Sequence, residues 1–359
     1  MFPGPAIGRR ALNPGLKARD QISRAAKRST EYGKPQHDRP TIGYPFRMSN
    51  LARGDAQMDE PLPALCLIAV PGRRRWTVEL CRETERRGFA GIYTPSPFGN
   101  MSMCEALSWN TDSIPFGTAI APIYQRTVVD FAQSAAMMHE VSGGRFRLGI
   151  GIAHGPSHVR MGVTPGKPLA DTRSFIEKFR AQDAFGPLPP IIVAALRKRM
   201  VALSGELAEG VVFANASRSH MGESLAVLPA AKRSDAAFFI GNMIPTCISD
   251  DEQAAKAVNR RTLTNYAFLP NYRNYWKEAG YVEEMDAVEK AIAEGRREEV
   301  PKYLTDRWLA DNTLFGPPAK VREGVAAWRA AGVHTPILVP SSAAGNQMKA
   351  IEEAFAAFG

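Results

Sequence analysis

The chain of 359 residues predicts an α/β protein whose strands close into a (β/α)8 TIM barrel. From residue 65 onward, short apolar runs alternate with amphipathic helical patterns, which is typical of parallel strands joined by right-handed crossovers. Eight such runs can be counted, the strand number of this barrel. The stretch 140–156, EVSGGRFRLGIGIAHGP, joins a helix end, a glycine turn, a buried strand and a polar loop, as one βα unit does at its catalytic end.

The predicted elements follow one another in a regular order and make up a barrel domain at 61–359. Strands are predicted at 65–70, 91–94, 115–121, 146–152, 190–194, 210–214, 237–248 and 335–339. Helices are predicted at 76–87, 101–111, 127–141, 169–183, 197–209, 319–331 and 345–358.

One segment, 250–316, is too long for an ordinary connection in such a barrel. Its pattern is mostly helical, and we interpret it as a helical insertion before the last strand, packed beside the barrel. Insertions of this kind cover an active site or form a dimer contact. The aromatic residues that suggest a homodimer are Tyr266, Tyr272, Tyr275, Trp276 and Tyr281.

Residues 1–60 are predicted to be a basic, disordered N-terminal extension. They contain 11 Lys and Arg against 6 Asp and Glu, a net charge of +5 out of +9 for the whole chain. The basic character therefore belongs largely to the extension, and nucleic-acid binding by the folded part is not predicted. A start codon assigned too early (Met48 or Met58 would serve), a solvated tail and a basic binding arm all remain open explanations.

Composition favours a cytoplasmic protein. The sequence has no apolar run of about 18 residues that would predict a membrane span, and its N-terminus lacks the pattern of a secretory signal. The four cysteines are scattered and form no CxxC pair, so we expect reduced thiols and neither a disulfide framework nor a zinc site.

The first titratable group after the predicted fourth strand is His154, and an imidazole there can give or take a proton near neutral pH. The alternative is a histidine hydrogen-bonded at a loop end without a chemical role. His158 follows four residues later, but no third ligand stands at a suitable spacing, and Gly155-Pro156 argues against a regular helix there. No metal site is therefore predicted.

The predicted fifth strand leads directly into a helix within 191–200, IIVAALRKRM. Free backbone N–H groups and the positive helix end suit a phosphate, and Arg197, Lys198 and Arg199 add positive charge. The alternative is an ordinary exposed basic first turn, because no glycine-rich cradle is present.

Several pieces together resemble the bacterial luciferase-like monooxygenase superfamily, which includes deazaflavin-dependent oxidoreductases. The resemblance runs from about residue 65 to the C-terminus. Two shorter pieces, GKPL at 166–169 and LPNYRNYWKEAGY at 269–281, narrow it to a mycobacterial-type branch that uses coenzyme F420. The other matching pieces are GTAIAP at 117–122, VSGGRFRLGIGIAHG at 141–155, VAALRKRMVALSGELAEGVVFANA at 193–216 and FGPPAKVREGVAAWRAAGVHTPILVP at 315–340.

The resemblance implies a flat tricyclic cofactor lying across the C-terminal mouth of the barrel. In the family a bulge in the third strand backs the ring, and the peptide bond between Ala119 and Ile120 is expected to be cis. The phosphate is expected on the backbone that follows the fifth strand. The implied cofactor-binding residues are Ala119, Ile120, Ala195, Leu196, Arg197, Lys198 and Ser157.

We therefore predict an oxidoreductase that transfers a hydride between reduced coenzyme F420 and a small organic substrate. His154 is the predicted acid or base, and Ser96 and Tyr124 are predicted to line the substrate pocket. Ser96 stands where relatives of this branch commonly carry an acid. Within enzymes the alternative is an FMN-dependent monooxygenase that uses O2. From another class, the alternative is a non-catalytic barrel that binds partners through its tail or inserted helices.

Overall fold

The computed structural model describes residues 61–96 and 99–359, and the predicted extension at 1–60 lies outside these ranges. The strands in them are β1 (Ala64–Cys66), β2 (Ile92–Thr94), β3 (Phe116–Pro122), β4 (Phe146–Gly151), β5 (Ile191–Ala194), β6 (Gly210–Ala214), β7 (Phe239–Ile248), β8 (Leu314–Gly316) and β9 (Thr335–Ser341). All pair in parallel, and β1 to β7 followed by β9 form a closed ring, because β9 pairs with both β7 and β1. The predicted (β/α)8 barrel is thus confirmed.

Helices connect the strands and surround the ring. Between β1 and β6 they are α1 (Arg74–Arg86), α2 (Asn100–Asn110), α3 (Val128–Val141), α4 (Gly155–Met161), α5 (Pro168–Arg180) and α6 (Lys198–Leu207). Two short helices, α7 (Met221–Leu225) and α8 (Ala230–Ser234), precede β7. The chain ends with α14 (Pro318–Ala330) before β9 and α15 (Gln347–Phe358) after it.

The segment between β7 and β9 contains the predicted helical insertion. Its helices are α9 (Glu252–Ala267), α10 (Pro270–Glu278), α11 (Val282–Ala293), α12 (Val300–Tyr303) and α13 (Asp306–Asn312). The sequence did not predict β8, which pairs with the last three residues of β7 beyond the ring. It is short because Gly316, at φ +112°, ends it in a backbone conformation that favours glycine.

Side-chain caps explain where several helices begin. Thr127 accepts a hydrogen bond from the Asp130 amide at 3.2 Å and starts α3, and Asp251 accepts one from the Ala254 amide at 3.0 Å and starts α9. Such caps satisfy backbone N–H groups that have no partner inside the helix, at about 1 kcal/mol each. None of the helices in the described ranges combines the length and apolar character that crossing a bilayer requires.

The Ser-Gly-Gly-Arg turn lies at the N-terminal end of β4, opposite the catalytic face. Gly143 and Gly144 have φ of +64° and +86°, which turns the chain from α3 into the strand. The guanidinium of Arg145 then donates to Thr111 O at 2.7 Å, Thr111 Oγ1 at 2.8 Å and Ile114 O at 3.0 Å. The Ser-Gly-Gly-Arg turn, the most recognisable motif of the sequence, therefore stabilises the N-terminal end of the barrel strands.

Candidate active site

The third strand carries the bulge that the resemblance implies. Thr118 is in register with Leu148 and Ala121 with Ile150, so β3 has one residue more than β4 between these pairs. Gly149 makes room for it, because a Cβ there would lie 1.9 Å from Thr118 O and 2.6 Å from Ala119 O. No side chain can occupy that position without moving the backbone.

The cis peptide bond expected between Ala119 and Ile120 is absent, and this expectation was wrong: no peptide bond in the described ranges is cis. The physical reason is that the extra residue of the bulge already takes up the register difference between the two strands with trans bonds. Asn100 Nδ2 donates to the Ile120 carbonyl at 3.0 Å and fixes the bulge from the side of α2.

Behind the bulge, the upper end of the barrel interior is apolar and open. Four residues near the C-terminal ends of the strands pack on the buried side chains inside the barrel and remain partly exposed. They are Ile120, Ala194, Ala214 and Val339. Gly151 allows this close arrangement, because a Cβ there would lie 2.8 Å from the Ile120 side chain. Small side chains and one branched side chain thus form a floor that a flat ring can cover.

His154 follows β4, the strand that pairs with the bulged β3, and is the residue before α4. Its imidazole is half-buried and packs edge-on against Tyr272, with ring centroids 5.5 Å apart. Burial, followed by the neighbouring His158, lowers the pKa of His154 below its usual value of 6.5. The imidazole is therefore neutral at pH 7 and can accept or donate a hydrogen bond at either nitrogen.

The expectation that Gly155-Pro156 would break a helix was wrong, because α4 begins at Gly155. Proline has no N–H, but the first helical positions need none, so it fits there. His158 lies in this helix, and its Nε2 is 2.6 Å from the Ile152 carbonyl. The His158 side chain thus stabilises the turn after β4. The described residues contain no cluster of three or more potential metal ligands.

Tyr124, predicted to line the pocket, contacts α4 and α5. Its ring packs edge-on against His158 at 5.7 Å, and its hydroxyl donates to Asp171 Oδ2. Burial and then Asp171 raise the pKa of Tyr124. Asp171 also accepts from the Gly166 amide at 2.9 Å, so GKPL closes a loop over this carboxylate. The Tyr124 hydroxyl is therefore held by protein.

The insertion covers the side of the mouth formed by β4 to β6. Tyr275 Oη accepts from the Ser217 amide at 3.0 Å, and Trp276 Nε1 donates to Asn215 O at 3.2 Å. The rings of Tyr272 and Trp276 pack against each other in a tilted arrangement, with centroids 5.5 Å apart. Most of the aromatic residues that suggested a homodimer are thus buried against the chain's own barrel, and they no longer support that expectation.

Asn215 follows β6 directly, at a strand end of the kind that forms barrel active sites, but the sequence assigned no role to it. It has φ +58° and is 4% exposed, and its Nδ2 has no hydrogen-bond partner among the described residues. Positive φ is uncommon outside glycine and clusters at functional sites, and asparagine is one of the few side chains that tolerate it. The signal in the sequence was an Asn placed immediately after a barrel strand.

The start of α6 is where the phosphate is predicted. The Ala195 amide donates to Val212 O at 3.0 Å, so it is not free for a ligand. The amides of Leu196, Arg197 and Lys198 have no protein acceptor in the described part of the chain. Two of the three predicted cations are already paired: Arg197 donates to Glu278 at 2.5 Å, and Lys198 to Glu223 at 3.2 Å.

The two remaining predicted residues are serines, one after a strand and one at a helix start. Ser96 follows β2 and is partly exposed beside the undescribed residues 97 and 98. Ser157 lies in the first turn of α4, where its hydroxyl accepts from Arg160 at 3.2 Å. The structure therefore brings His154 and Ser157 to one turn after β4 and places Ile120 in the bulge of the neighbouring strand β3.

A sequence profile described as luciferase-like monooxygenase matches residues 54–335. The chain belongs to this family. Its members include relatives with named activities. A protein of Mycobacterium tuberculosis, provisionally named a coenzyme F420-dependent oxidoreductase, is 28% identical in an alignment 316 residues long that covers 74% of this chain and 90% of that relative. A 5,10-methylenetetrahydromethanopterin reductase of Archaeoglobus fulgidus is 24% identical and covers 79% of this chain and 95% of its own.

Solved structures share the fold of this family member. The coenzyme F420-dependent tetrahydromethanopterin reductase of Methanopyrus kandleri has a TM-score of 0.63 at 17% identity, over 82% of this chain and 97% of its own. An F420-dependent secondary alcohol dehydrogenase with an F420–acetone adduct has a TM-score of 0.62 at 13% identity, over 82% and 98%. An FMN-bound type II Baeyer–Villiger monooxygenase of Pseudomonas putida reaches 0.56 at 14%, over 82% and 97%. At such identities these likenesses show the fold alone.

Proposed function

We propose that this enzyme transfers a hydride between reduced coenzyme F420 and a small organic substrate in the cytoplasm. The observation that carries the proposal is the partly exposed apolar floor behind the β3 bulge, with a neutral histidine after the neighbouring strand β4. The name of the M. tuberculosis relative, a coenzyme F420-dependent oxidoreductase, supports the choice of F420. A deazaflavin, once bound, supplies the hydride chemistry, and the protein orients the ring and moves protons.

The residues present fit such a cofactor at two places. Ala119 and Ile120 lie at the bulge, where the floor is flat and apolar. The amides of Leu196, Arg197 and Lys198 can hold an anion, with the N-terminal end of α6 adding favourable charge. Ala195 would contribute only its small side chain, because its backbone amide already donates a hydrogen bond to Val212 O of β6. Ser157 is proposed as a further contact from α4.

His154 is proposed as the group that gives or takes the proton. Its lowered pKa keeps the neutral form populated at pH 7, and Tyr272 fixes the ring plane from the insertion. Ser96 and the ring of Tyr124 are proposed to line the substrate pocket. The Tyr124 hydroxyl would act through Asp171, to which it is bound.

FMN is the alternative cofactor, with O2 as co-substrate. The family includes luciferase-like monooxygenases, and an FMN-bound enzyme shares the fold. Both cofactors would place a tricyclic ring on the same floor and a phosphate at the start of α6.

A homodimer is also proposed, although the aromatic residues of the insertion no longer support it because they are buried. The oligomeric state in solution is the measurement that tests it.

Titration of the purified protein with each cofactor tests the proposal. Oxidised F420 should lose fluorescence or shift its absorbance with a Kd in the micromolar range or below, and FMN should bind more weakly. Tight FMN binding with no response to F420 would favour the monooxygenase. A protein that binds neither cofactor at micromolar concentration contradicts the proposal.

Substitution of His154 then tests its role. If the imidazole transfers a proton, His154→Ala should lower kcat by about 10²- to 10⁴-fold while the Kd for the cofactor changes little. The matched control is Ser174→Ala in α5, which removes a hydroxyl with no hydrogen-bond partner recorded among the described residues. A His154→Ala enzyme with wild-type kcat would remove this residue from the chemistry.

A further inference from the structure

A groove lies between the first turns of α1 and α2, the helices that follow β1 and β2. Its volume is about 520 Å³, and pockets that bind small molecules commonly measure about 300–1,000 Å³. None of the residues that line it has a role in the function proposed above. The groove is therefore large enough for a small molecule and is separate from the groups assigned to the cofactor.

Half of the residues that line the groove are apolar, and they come from three segments. Ala69 follows β1, Val78 lies in α1, and Met103 and Ala106 lie in α2. Ala69 and Met103 are buried, whereas Val78 and Ala106 are partly exposed to solvent. Covering such a surface with an apolar group removes it from water, which is favourable. This half of the lining therefore suits a hydrocarbon chain.

The polar part of the lining is positive or donates hydrogen bonds. Arg74 and Arg75 are exposed, and neither forms an ion pair with a carboxylate in the described ranges. Glu79, one turn further along α1, is paired with Arg82 at 2.9 Å. Ser102 adds an exposed hydroxyl, and no Asp or Glu is among the described residues that line the groove. The charge on this side of the groove is thus unbalanced.

The two helix starts add to the same imbalance. Neither α1 nor α2 has a side-chain cap or an acidic residue in its first turn. The amides of Arg74 and Arg75 have no protein acceptor in the part of the chain that the structure describes. Arginines at this end of a helix oppose its dipole, which an anion would compensate. The groove therefore combines an apolar half with an unneutralised positive half.

We propose that this groove binds a small amphipathic carboxylate of the fatty-acid class. The carboxylate would pair with Arg74 and Arg75, and the acyl chain would cover the apolar half between α1 and α2. Guanidinium groups pair well with carboxylates, which supplies the charge complementarity. The chain's own residues 1–60 fit less well, because their net charge of +5 has the same sign as the arginines. This inference goes beyond the proposed function and does not depend on it.

Calorimetric titration of the full-length protein, without any added cofactor, tests the ligand class. Octanoate should bind at one site, and its affinity should fall as the salt concentration rises. Shorter carboxylates, hexanoate and butanoate, should bind more weakly, by about two- to fourfold for each CH2 removed. Octanamide has the same chain with a neutral head group and should bind about tenfold more weakly.

Substitutions in the groove test the location. The double variant Arg74→Gln/Arg75→Gln removes both charges at exposed positions, and Ala106→Phe fills the groove while the charges stay. Each should weaken octanoate binding by about tenfold or more. The matched control, Lys178→Gln/Arg233→Gln, removes two exposed charges elsewhere and should bind octanoate like wild type. Thermal unfolding of each variant verifies that the fold is kept.

Three outcomes would overturn the inference. Octanoate binding of wild-type strength in both groove variants would place the ligand elsewhere. Inorganic phosphate that binds as tightly as octanoate would show an anion site without an acyl-chain groove. A wild-type dimer that Ala106→Phe dissociates, in a protein that does not bind octanoate, would make the groove a contact between two copies of the chain. Octanoate binding in the groove of a protein that binds no F420 would support this site and reject the proposed function alone.

Discussion

The imidazole of His154 and the phenol ring of Tyr272 meet edge-on, 5.5 Å between centroids, and join the loop after β4 to helix α10 of the insertion. The insertion therefore contacts the candidate active site. Tyr272 is buried and packs against Trp276, whose own ring packs edge-on against Trp308 at 4.8 Å. A row of aromatic rings thus fixes the candidate acid or base from the side of the insertion.

The lowered pKa of His154 predicts how stability depends on pH. The folded state disfavours the charged imidazole, so the unfolded chain binds the proton more readily. The free energy of unfolding should then fall as the pH drops below about 6.5, the pKa of an unperturbed histidine. His154→Gln should lose less Tm than wild type between pH 7 and pH 5, measured by thermal unfolding. Equal losses in both proteins would contradict the assigned shift.

Gly149 should tolerate no side chain. A Cβ would lie 1.9 Å from Thr118 O, so Gly149→Ala should destabilise the protein by about 3 kcal/mol or more and distort the bulge. Cofactor affinity should fall with it. Gly155→Ala is the control, because a Cβ there has no neighbour within 4 Å and stability should change by less than about 0.5 kcal/mol. Denaturant unfolding measures both, and a mild Gly149→Ala would argue against the bulge.

Arg145 should matter for stability and not for cofactor binding. Arg145→Met leaves the Thr111 and Ile114 carbonyls without their donor and should cost about 3 kcal/mol. Because this turn lies at the opposite end of the barrel, the Kd for F420 should stay at the wild-type value below the unfolding transition. Arg86→Met, at an exposed ion pair, should cost less than about 1 kcal/mol. A large change in Kd without loss of stability would place Arg145 in the site instead.

We expect Glu278 to weaken anion binding at the start of α6, because its carboxylate forms an ion pair with the Arg197 guanidinium. Glu278→Gln frees that charge and should tighten binding of the phosphate-bearing cofactor by about two- to fivefold at low salt. The gain should shrink at high ionic strength. Glu206→Gln, which frees Arg173 from an exposed ion pair in another place, should leave the Kd unchanged. Equal affinities in Glu278→Gln and wild type would argue that the phosphate lies elsewhere.

The sequence alone was sufficient to predict the barrel and the turn at 142–145, because both depend on local patterns. Alternating apolar runs and helical periodicity identify strands and helices within a few residues, and glycines at positive φ end α3 where the pattern predicts. The extra strand β8 was missed because three residues give no periodic signal. The helix start at Gly155 was missed because proline is unfavourable inside a helix but fits its first turn.

Tertiary structure alone decided which polar groups are free. Arg197 and Lys198 are charged in any fold, but their carboxylate partners lie 81 and 25 residues further along the chain. The backbone carbonyl and amide of Asn215 are bound by Trp276 of α10 and Met243 of β7, two partners that are distant in the sequence. Periodicity reports which face of an element is buried, but hydrogen-bond partners and burial of a polar group arise when distant segments pack together.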